Sequence, residues 1–444
     1  MKYKLNNDSE EYKNNPENDK KNKDNLQDKS GRGGFFSGIF TGVLLSLLVA
    51  SCIFTVKQIY TTHQSKEASE VASTDTAAPA EIVSDLTMSK LRAIEDAIGT
   101  YYYKEDLDVQ KMIDGMYEGV VASLDDPYST YYTQEDVQRL MEETEGIYYG
   151  IGAYVSIEQK TGLAQISGAM EGTPAQEAGL RAGDIIYKVD DVDVQGLELS
   201  EVVSKIKGLE GTTVHLTLYR EGENDYLEFD IERRKIESPT VNHEMFDNNI
   251  GYLQITEFDD ITLDQFTEAM AVLREQGMKG LVLDLRSNPG GNLSTVTEIA
   301  RQMLPKGLIV YTEDREGNRT EYSSDGTKVF DLPLVVLVNG YSASASEILA
   351  GAIKDYGIGE LVGTTTFGKG IVQRVLSLSD GTALKLTVSS YFTPKGNNIH
   401  GIGIEPDEVC EFDSDLYYND NNGYDNQLER AKEIIAEKIA SAGN

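Results

Sequence analysis

One stretch of the chain contains a serine, a lysine and a glutamine, which could together carry out acyl transfer. The apolar run Leu334–Val338 predicts a buried strand, and a segment of good helix formers follows at about 343–354. The first N–H groups of a helix have no partner inside the helix and lie at the positive end of its dipole, so they can stabilise an oxyanion. Ser344 as a nucleophile and the N–H of Ala345 as an oxyanion donor fit this arrangement.

A serine hydroxyl becomes a good nucleophile only when a neighbouring base takes its proton. Lys369 lies between Gly368 and Gly370 in a segment that is apolar enough to bury an amine. Burial disfavours the ammonium form and lowers the pKa of lysine towards the operating pH, so a buried lysine can act as a general base. Gln373 lies four residues further on, in a predicted strand, and can accept a hydrogen bond from the amine and orient it.

A turn at 287–291 is the expected source of a second oxyanion donor. It ends the apolar strand predicted at 280–286, and its glycines allow a backbone N–H to approach Ser344 closely. The residue types leave both Gly290 and Gly291 open as the donor. The residue types also do not decide which serine is the nucleophile. Ser342 could cap the helix, and Ser346 could lie one turn inside it.

These segments resemble the carboxyl-terminal processing proteases, also called tail-specific proteases. The resemblance covers the chain from about residue 85 onward, and three segments carry it: LDLRSNPGG at 283–291, NGYSASASEILAGAIKDYG at 339–357 and TTTFGKGIVQ at 364–373. In that family the second serine of the run is the nucleophile, the catalytic lysine follows 25 positions later and a glutamine four positions after it. The resemblance therefore implies Ser344, Lys369 and Gln373 as the catalytic residues. The family takes its second oxyanion donor from the Asn-Pro-Gly-Gly turn, where we favour Gly291 over Gly290.

A second region, 146–235, resembles a PDZ domain. Glycines in its first segment expose backbone N–H groups that can hold the C-terminal carboxylate of a peptide. The expected carboxylate-binding loop comprises Tyr149, Gly150, Ile151, Gly152 and Ala153. A strand through Val155 and Ile157 and an amphipathic helix through Leu199 and Val203 should form the groove for a substrate tail.

Composition limits the classes of partner. The 444 residues carry a formal net charge of −34, so nucleic acid is not an expected partner. The two cysteines, Cys52 and Cys410, imply no disulfide framework. The four histidines have no metal-ligand spacing, and the chemistry described above requires neither a metal nor an organic cofactor.

The N-terminal part of the chain predicts a membrane anchor. Residues 1–34 are polar and expected to be disordered, and 35–56 contain no charged residue, which as a helix spans roughly 33 Å. Eight Lys and Arg residues precede this span and few follow it, so the N-terminus is expected in the cytoplasm. The rest of the chain would then lie outside a bacterial cell membrane that it crosses once.

Two other interpretations of this span remain open. Val49–Cys52 resembles a lipoprotein cleavage motif that would make Cys52 a lipidated N-terminus, although the apolar run continues beyond it. Signal-peptide cleavage in the following Ala- and Ser-rich stretch is the other alternative. All three interpretations place the protease outside the cytoplasm.

The predicted fold is a multidomain α/β protein with a transmembrane helix, a helical N-terminal region, a β-sandwich-like PDZ domain with helices, and an α/β catalytic core. The expected parts are a cytoplasmic tail at 1–34, a signal anchor at 35–56, a flexible stalk at 57–84, a helical region at 85–145, a PDZ domain at 146–235, a catalytic domain at 236–412, and a loop and helix at 413–444.

The predicted function is that of a serine endopeptidase that cleaves proteins near their C-termini after the PDZ domain recognises the tail. Proteins or peptides with accessible C-terminal tails are the expected partners, together with the membrane. The family uses the region 85–145 for dimerisation or for bracing the core, so a second copy of the chain or a regulatory partner is also considered. The alternative is a PDZ adaptor that binds tails without cleaving them.

Overall fold

The computed structural model describes residues 81–104, 106–418 and 423–442. The chain divides into two units, one ending at Asp106 and the other beginning at Leu107. The predicted tail, the predicted membrane span and the stalk up to residue 80 lie outside the described residues. Within the described part, no helix has the length and apolar character needed to cross a membrane.

Helix α1 (Asp85–Tyr101) belongs to the first unit and begins with a capping box. Ser84 accepts a hydrogen bond from the N–H of Thr87, and the Thr87 hydroxyl accepts one from the N–H of Ser84. The helices of the second unit are α2 (Val109–Ala122), α3 (Gln134–Glu145), α4 (Pro174–Ala178), α5 (Leu199–Ile206), α6 (Thr262–Glu275), α7 (Leu293–Arg301), α8 (Ala345–Tyr356), α9 (Ser414–Tyr418) and α10 (Asn426–Ala442), with a 3-10 turn at Asp247–Asn249.

The strands all belong to the second unit. Those before residue 240 are β1 (Thr130–Tyr132), β2 (Ile147–Gly150), β3 (Ala153–Ile157), β4 (Ala164–Ala169), β5 (Ile185–Val189), β6 (Val192–Asp193), β7 (Thr213–Tyr219), β8 (Leu227–Glu232) and β9 (Arg234–Glu237). Those after it are β10 (Val241–Phe246), β11 (Ile250–Ile255), β12 (Gly280–Asp284), β13 (Gly307–Asp314), β14 (Arg319–Ser324), β15 (Leu334–Val338), β16 (Glu360–Gly363), β17 (Ile371–Ser377), β18 (Ala383–Phe392) and β19 (Glu408–Val409).

A mostly parallel sheet forms the centre of the second unit. Its strand order is β10-β11-β12-β15-β16-β19, and only β10 runs antiparallel to its neighbour. Helices α6, α7 and α8 pack on one face and α10 packs on the other. Every residue of β12 and β15 is buried, as expected of a parallel strand covered on both faces. The prediction of a buried strand at Leu334–Val338 is confirmed.

An antiparallel sheet lies beside the parallel one. Strands β1, β18, β13 and β14 form it in that order, and β17 also pairs with β18. Strand β1 comes from the segment before region 146–235, yet it pairs with the first residues of β18, where Thr130 is opposite Lys385. The sheet therefore joins parts of the chain that are far apart in sequence.

The region between these segments folds around its own core. Strands β3, β4, β5, β7 and β8 form an antiparallel sheet, and β6 pairs with β5. Val202 and Ile206 of α5 are buried in this core, together with Ile166, Ile186 and Leu216. Leu199 and Val203, on the neighbouring face of α5, are only half-buried. Helix α5 thus packs through one face and leaves the next face accessible.

This region is connected to the rest of the unit by a two-stranded stem. Strand β2 enters it and β9 leaves it, and the two strands pair antiparallel from Ile147 opposite Glu237 to Gly150 opposite Arg234. Below the stem, the N–H of Ser238 donates a hydrogen bond of 2.9 Å to the carbonyl oxygen of Gly146. The inserted region therefore begins and ends at nearly the same place.

Candidate active site

Ser344 lies at the turn between β15 and α8. Its φ of 53° and ψ of −112° are unusual for a residue other than glycine. Such strained backbone conformations concentrate at functional sites, where the surrounding structure maintains them. The carbonyl oxygen of Ser344 accepts hydrogen bonds from the N–H of Ile348, at 3.0 Å, and from the hydroxyl of Tyr391, at 3.1 Å. The position of the turn is therefore fixed by the helix that follows it and by strand β18.

The three serines of the run have different surroundings. The Ser342 hydroxyl donates to the carbonyl oxygen of Leu285 at 2.8 Å, and the Ser346 hydroxyl donates to that of Asn288 at 3.0 Å. Both of these serines are fully buried, whereas Ser344 is half-buried. Ser342 and Ser346 thus hold the turn together, and Ser344 is the serine of the run that a substrate can reach.

Two backbone N–H groups are candidate donors to an oxyanion, that of Ala345, which follows Ser344, and that of Gly291, which follows the glycine packed against Ser344. Within the residues that the structure describes, neither the N–H of Ala345 nor that of Gly291 donates a hydrogen bond. The N–H of Gly290 instead donates to the Asn288 side chain at 2.8 Å. This difference favours Gly291 over Gly290 as the second donor.

Gly290 has a different role, which is to allow close approach. A Cβ added to it would lie 2.8 Å from the Cβ of Ser344 and 3.0 Å from the backbone nitrogen of Ala345. Its φ of 111° is also a conformation that side-chain-bearing residues rarely adopt. The turn can therefore lie against the nucleophile only because it has a glycine here.

Asn288 is fully buried and holds the turn at 287–291 in place. Its side-chain amide donates to the carbonyl oxygen of Ile255 at 2.8 Å, and its own carbonyl oxygen accepts from the N–H of Ala343 at 3.0 Å. The nucleophile turn and the oxyanion turn are thus linked to each other by backbone hydrogen bonds. This half of the site is organised before any substrate binds.

Lys369 lies in the loop before β17 and is half-buried. Burial, assisted by the positive charge of Lys385, lowers its pKa below the ordinary lysine value, and the Glu347 carboxylate opposes that shift. Its Nζ lies 5.0 Å from the centre of the Tyr128 ring. Among the described residues, no hydrogen bond joins this amine to Ser344 or to Gln373. The structure therefore places Lys369 near the nucleophile without forming the predicted contact.

Gln373 does not make its predicted contact with Lys369 in this structure. Its side-chain amide donates to the hydroxyl of Thr387 at 3.4 Å instead. The pairing of β17 with β18 shifts register between Val372 and Gln373, and such irregularities change the direction of side chains. The predicted contact relied on the spacing of four residues between Lys369 and Gln373, and this spacing does not reveal the register shift.

Glu347 is a central residue of the site that the sequence analysis missed. It is fully buried, and its carboxylate accepts hydrogen bonds from the N–H of Ser344 at 2.9 Å and the N–H of Lys369 at 2.8 Å. It also accepts from the N–H of Gly368 at 2.7 Å and the Thr366 hydroxyl at 2.6 Å. One carboxylate thus connects the nucleophile turn to the loop that carries the lysine. The signal was present, because a serine followed three residues later by glutamate is typical of a capping box.

A cleft of about 440 Å³ opens between Lys369 and the turn that precedes Ser344. Its lining is mainly apolar or aromatic and comprises Tyr128, Ser287, Pro289, Tyr341, Ala343, Phe367 and Lys369. Phe367 and Tyr341 are exposed. The cleft can therefore accept an apolar side chain of a peptide next to the nucleophile.

The predicted carboxylate-binding loop joins β2 to β3. Tyr149 and Gly150 end the first strand and Ala153 begins the second. Within the described residues, the N–H groups of Ile151 and Gly152, which lie between the strands, donate no hydrogen bond. Gly152 has a φ of 74°, and a Cβ there would lie 2.4 Å from the Cβ of Thr173. The loop thus has the free N–H groups that an anion needs.

A reachable serine at a strand-to-helix turn, with candidate donors to an oxyanion and an α/β core, is the arrangement expected of a serine peptidase site. Comparison with known proteins agrees with this class. The family model of peptidase family S41 matches residues 249–410, that of the PDZ domain matches 165–220, and that of the activating protease CtpB N-terminal domain matches 47–136.

Relatives of known name cover most of the chain. A carboxyl-terminal-processing protease of Synechocystis sp. is 37% identical over 329 residues, which is 73% of this chain and 77% of the relative. The carboxy-terminal processing protease CtpA of Bacillus subtilis is 40% identical over 321 residues, 72% of this chain and 68% of the relative. The chain belongs to the carboxyl-terminal processing proteases of peptidase family S41. Among solved structures, the photosystem II D1 C-terminal processing protease is 30% identical with a TM-score of 0.44, covering 74% of this chain and 94% of that one.

Proposed function

We propose that this protein is an extracytoplasmic endopeptidase, anchored in the membrane, in which Ser344 and Lys369 cleave proteins near their C-termini after region 146–235 has bound the tail. The main support is the geometry at Ser344. A strained, reachable serine begins a helix, the N–H of the next residue, Ala345, is unpaired, and so is that of Gly291, which follows the glycine packed against Ser344. Such an arrangement suits a tetrahedral oxyanion.

The chemistry follows from these groups. The Ser344 oxygen attacks the scissile carbonyl carbon while its proton passes to the neutral Lys369 amine. The carbonyl oxygen becomes an oxyanion that the N–H groups of Ala345 and Gly291 stabilise. When the C–N bond breaks, the Lys369 ammonium gives its proton to the leaving amine, and an ester to Ser344 remains.

A water molecule then completes the reaction. Lys369, neutral again, takes a proton from the water as it attacks the ester, and the second oxyanion uses the same two donors. Collapse of this intermediate returns the proton to Ser344 and releases the new C-terminus. A lowered pKa of Lys369 serves both steps, because the neutral amine is the form that accepts a proton.

The position of Lys369 suggests how the enzyme is controlled. Its amine lies over the Tyr128 ring, and Gln373 bonds to Thr387, so both side chains must move to meet Ser344. We infer that binding of a tail to region 146–235 releases them. Deleting residues 147–237, which joins Gly146 to Ser238, should change the rate of cleavage of short peptides strongly. An unchanged rate on short peptides and on tailed proteins would contradict this control.

The proposal of a membrane anchor is supported by the uncharged span at 35–56 and by the eight basic residues before it. Alkaline extraction should leave the full-length chain in the membrane, and protease added outside the cell should digest residues after the span. Replacing Cys52 by alanine tests the lipoprotein alternative. A variant that leaves the membrane would support lipidation at Cys52 over the spanning helix.

The catalytic pair is tested by replacement. Ser344→Ala and Lys369→Ala should each abolish cleavage of a model protein with an apolar tail, while the thermal unfolding midpoint stays close to that of the parent. Lys395→Ala, which changes an exposed lysine, is the matched control. Full activity in either catalytic variant would reject the pair. Tail binding without turnover in the parent chain would favour the adaptor alternative.

A further inference from the structure

A large cavity separates helix α3 from helix α5 and reaches the loop proposed to bind the tail carboxylate. Its volume is about 970 Å³, and its lining includes Glu135, Arg139, Glu142, Tyr149, Val203 and Lys207. The lining from α5 lies on the face that the core of this region leaves accessible. The cavity therefore extends from the proposed carboxylate-binding loop to α3, which lies outside the inserted region.

Lys207 lies at the end of this cavity next to the loop. It directly follows α5, and the N–H of the next residue, Gly208, donates to the carbonyl oxygen of Tyr149 at 3.2 Å. A Cβ added to Gly150 would lie 3.8 Å from the Cγ of Lys207. The stem of the Lys207 side chain thus runs beside the loop whose N–H groups are free.

A carboxylate already occupies the position opposite this lysine. The Nζ of Lys207 lies 2.7 Å from Oε2 of Glu142 in α3, and the two side chains are 33% and 27% exposed. The same Nζ lies 4.9 Å from the centre of the Tyr148 ring. The pair is the ion pair that connects α3 to α5 among the described residues.

We propose that Lys207 determines the preference for a free C-terminus by binding the carboxylate of the tail, and that Glu142 holds this position until a tail replaces it. This inference rests on the proposed tail recognition and names a residue pair that performs it. The carboxylate of an incoming tail would accept hydrogen bonds from the N–H groups of Ile151 and Gly152 and from Lys207. Glu142 would then lose its ionic partner and keep the hydrogen bond from the Gln138 side chain, and α3 would lose its ion pair with Lys207.

The exchange is energetically feasible because the existing pair is weak. Pairs with this much exposure typically contribute about 0.2–1 kcal/mol. A tail carboxylate makes the same charge-assisted contact and adds the N–H groups of the loop, which Glu142 does not reach in this structure. The net charge of −34 makes a local positive group valuable for attracting an acidic terminus.

The test measures binding of two peptides to the full-length chain carrying Ser344→Ala, which prevents turnover. Both peptides end in the same three apolar residues, one as the free acid and one as the C-terminal amide. The parent should bind the acid at least about tenfold more tightly than the amide. Lys207→Gln should reduce that ratio by about fivefold or more and leave amide binding unchanged.

Glu142→Gln supplies the opposite result. It should tighten binding of the acid by roughly 1.4- to fivefold and leave binding of the amide unchanged. This range is the free energy of an exposed ion pair expressed as a ratio of dissociation constants. Lys205→Gln, on the exposed side of α5, is the matched control and should change the binding of neither peptide. Unchanged amide binding also shows that each variant has a folded groove.

Three outcomes would overturn the inference. The first is an acid-to-amide ratio that Lys207→Gln leaves unchanged, and the second is weaker acid binding in Glu142→Gln; both leave tail recognition intact. The third is a parent chain that binds neither peptide, which overturns the proposed tail recognition together with this inference.

Discussion

The two halves of the candidate active site differ in how far they are assembled. On the nucleophile side, Asn288 links the oxyanion turn to the serine turn, and the hydroxyls of Ser342 and Ser346 reach buried carbonyl oxygens. On the base side, the Lys369 amine lies over an aromatic ring and Gln373 bonds to Thr387. Under the proposed mechanism, stabilising an oxyanion would need no rearrangement, whereas proton transfer to Lys369 would need one. An enzyme built this way can keep its nucleophile ready and be controlled through its base.

The largest expected effect comes from the assembled half. Gly291→Ala should lower kcat by roughly 10²–10³-fold, because one oxyanion donor is displaced. The φ of Gly291 is 136°, and a Cβ there would lie 2.4 Å from the carbonyl oxygen of Phe258. Steady-state kinetics on a peptide substrate measures the loss.

The control for this variant is Gly317→Ala, which has a φ of 81° and open space around its added Cβ. It imposes backbone strain without moving the turn, so kcat should remain at the parent value. Equal losses in both variants would mean that strain, and not the missing donor, lowers the rate.

The residue shared by the two halves should have the next largest effect. Glu347→Gln should lower kcat by about 10²-fold, since an amide cannot accept all four hydrogen bonds and the misplaced groups lose alignment. Leaving buried donors unpaired should also cost about 1–3 kcal/mol in the free energy of unfolding. Urea unfolding and kinetics on the same preparation separate the two effects. Normal activity in a destabilised protein would show that Glu347 supports the fold alone.

The base half makes a prediction about pH. Since only the neutral amine accepts a proton, kcat/KM should rise about tenfold per pH unit below the lowered pKa of Lys369 and level off above it. Lys385→Gln removes a like charge that lowers this pKa, so the rise should move to higher pH. Lys395→Gln, at an exposed position, should leave the profile in place. A profile that Lys385→Gln moves to lower pH would contradict the assignment of the base.

The smallest expected effect concerns the aromatic ring beside the base. A ring under an ammonium group stabilises it by about 0.5–2 kcal/mol, so Tyr128→Leu should move the same pH profile to lower values by roughly 0.4–1.5 units. Tyr128→Phe keeps the ring and should restore the parent profile. A shift of the same size in both variants would attribute it to the hydroxyl instead of the ring face.

Much of the assembled half could be predicted from sequence because it depends on local rules. An apolar strand, a glycine turn and a serine at a helix start follow from residue type and spacing, and the strand Leu334–Val338 appears as predicted. Ser344 was distinguished from its two neighbours by a family resemblance, and the structure adds the physical reason, which is their burial. Glu347 escaped because its capping pattern predicts a helix start and says nothing of the lysine loop 22 residues later.

The base half could not be predicted in the same way because its contacts are distant in sequence. Tyr128 is 241 positions before Lys369 in the chain and reaches it only because the segment that includes β1 pairs with β18. Gln373 faces Thr387 next to a register shift between β17 and β18, and residue spacing in the sequence does not predict such a shift. The surface of the inserted region shows the same limit, since Lys207 pairs with Glu142, which lies 65 positions earlier in a helix outside that region.

The stem formed by β2 and β9 has a consequence for how such proteins diversify. Since the inserted region begins and ends at adjacent strands, it can be exchanged as a unit without cutting the chain at any proposed catalytic element. If this region selects substrates as proposed, recombination between related genes at Gly146 and Ser238 would alter which proteins are cleaved and leave the proposed hydrolytic site unchanged.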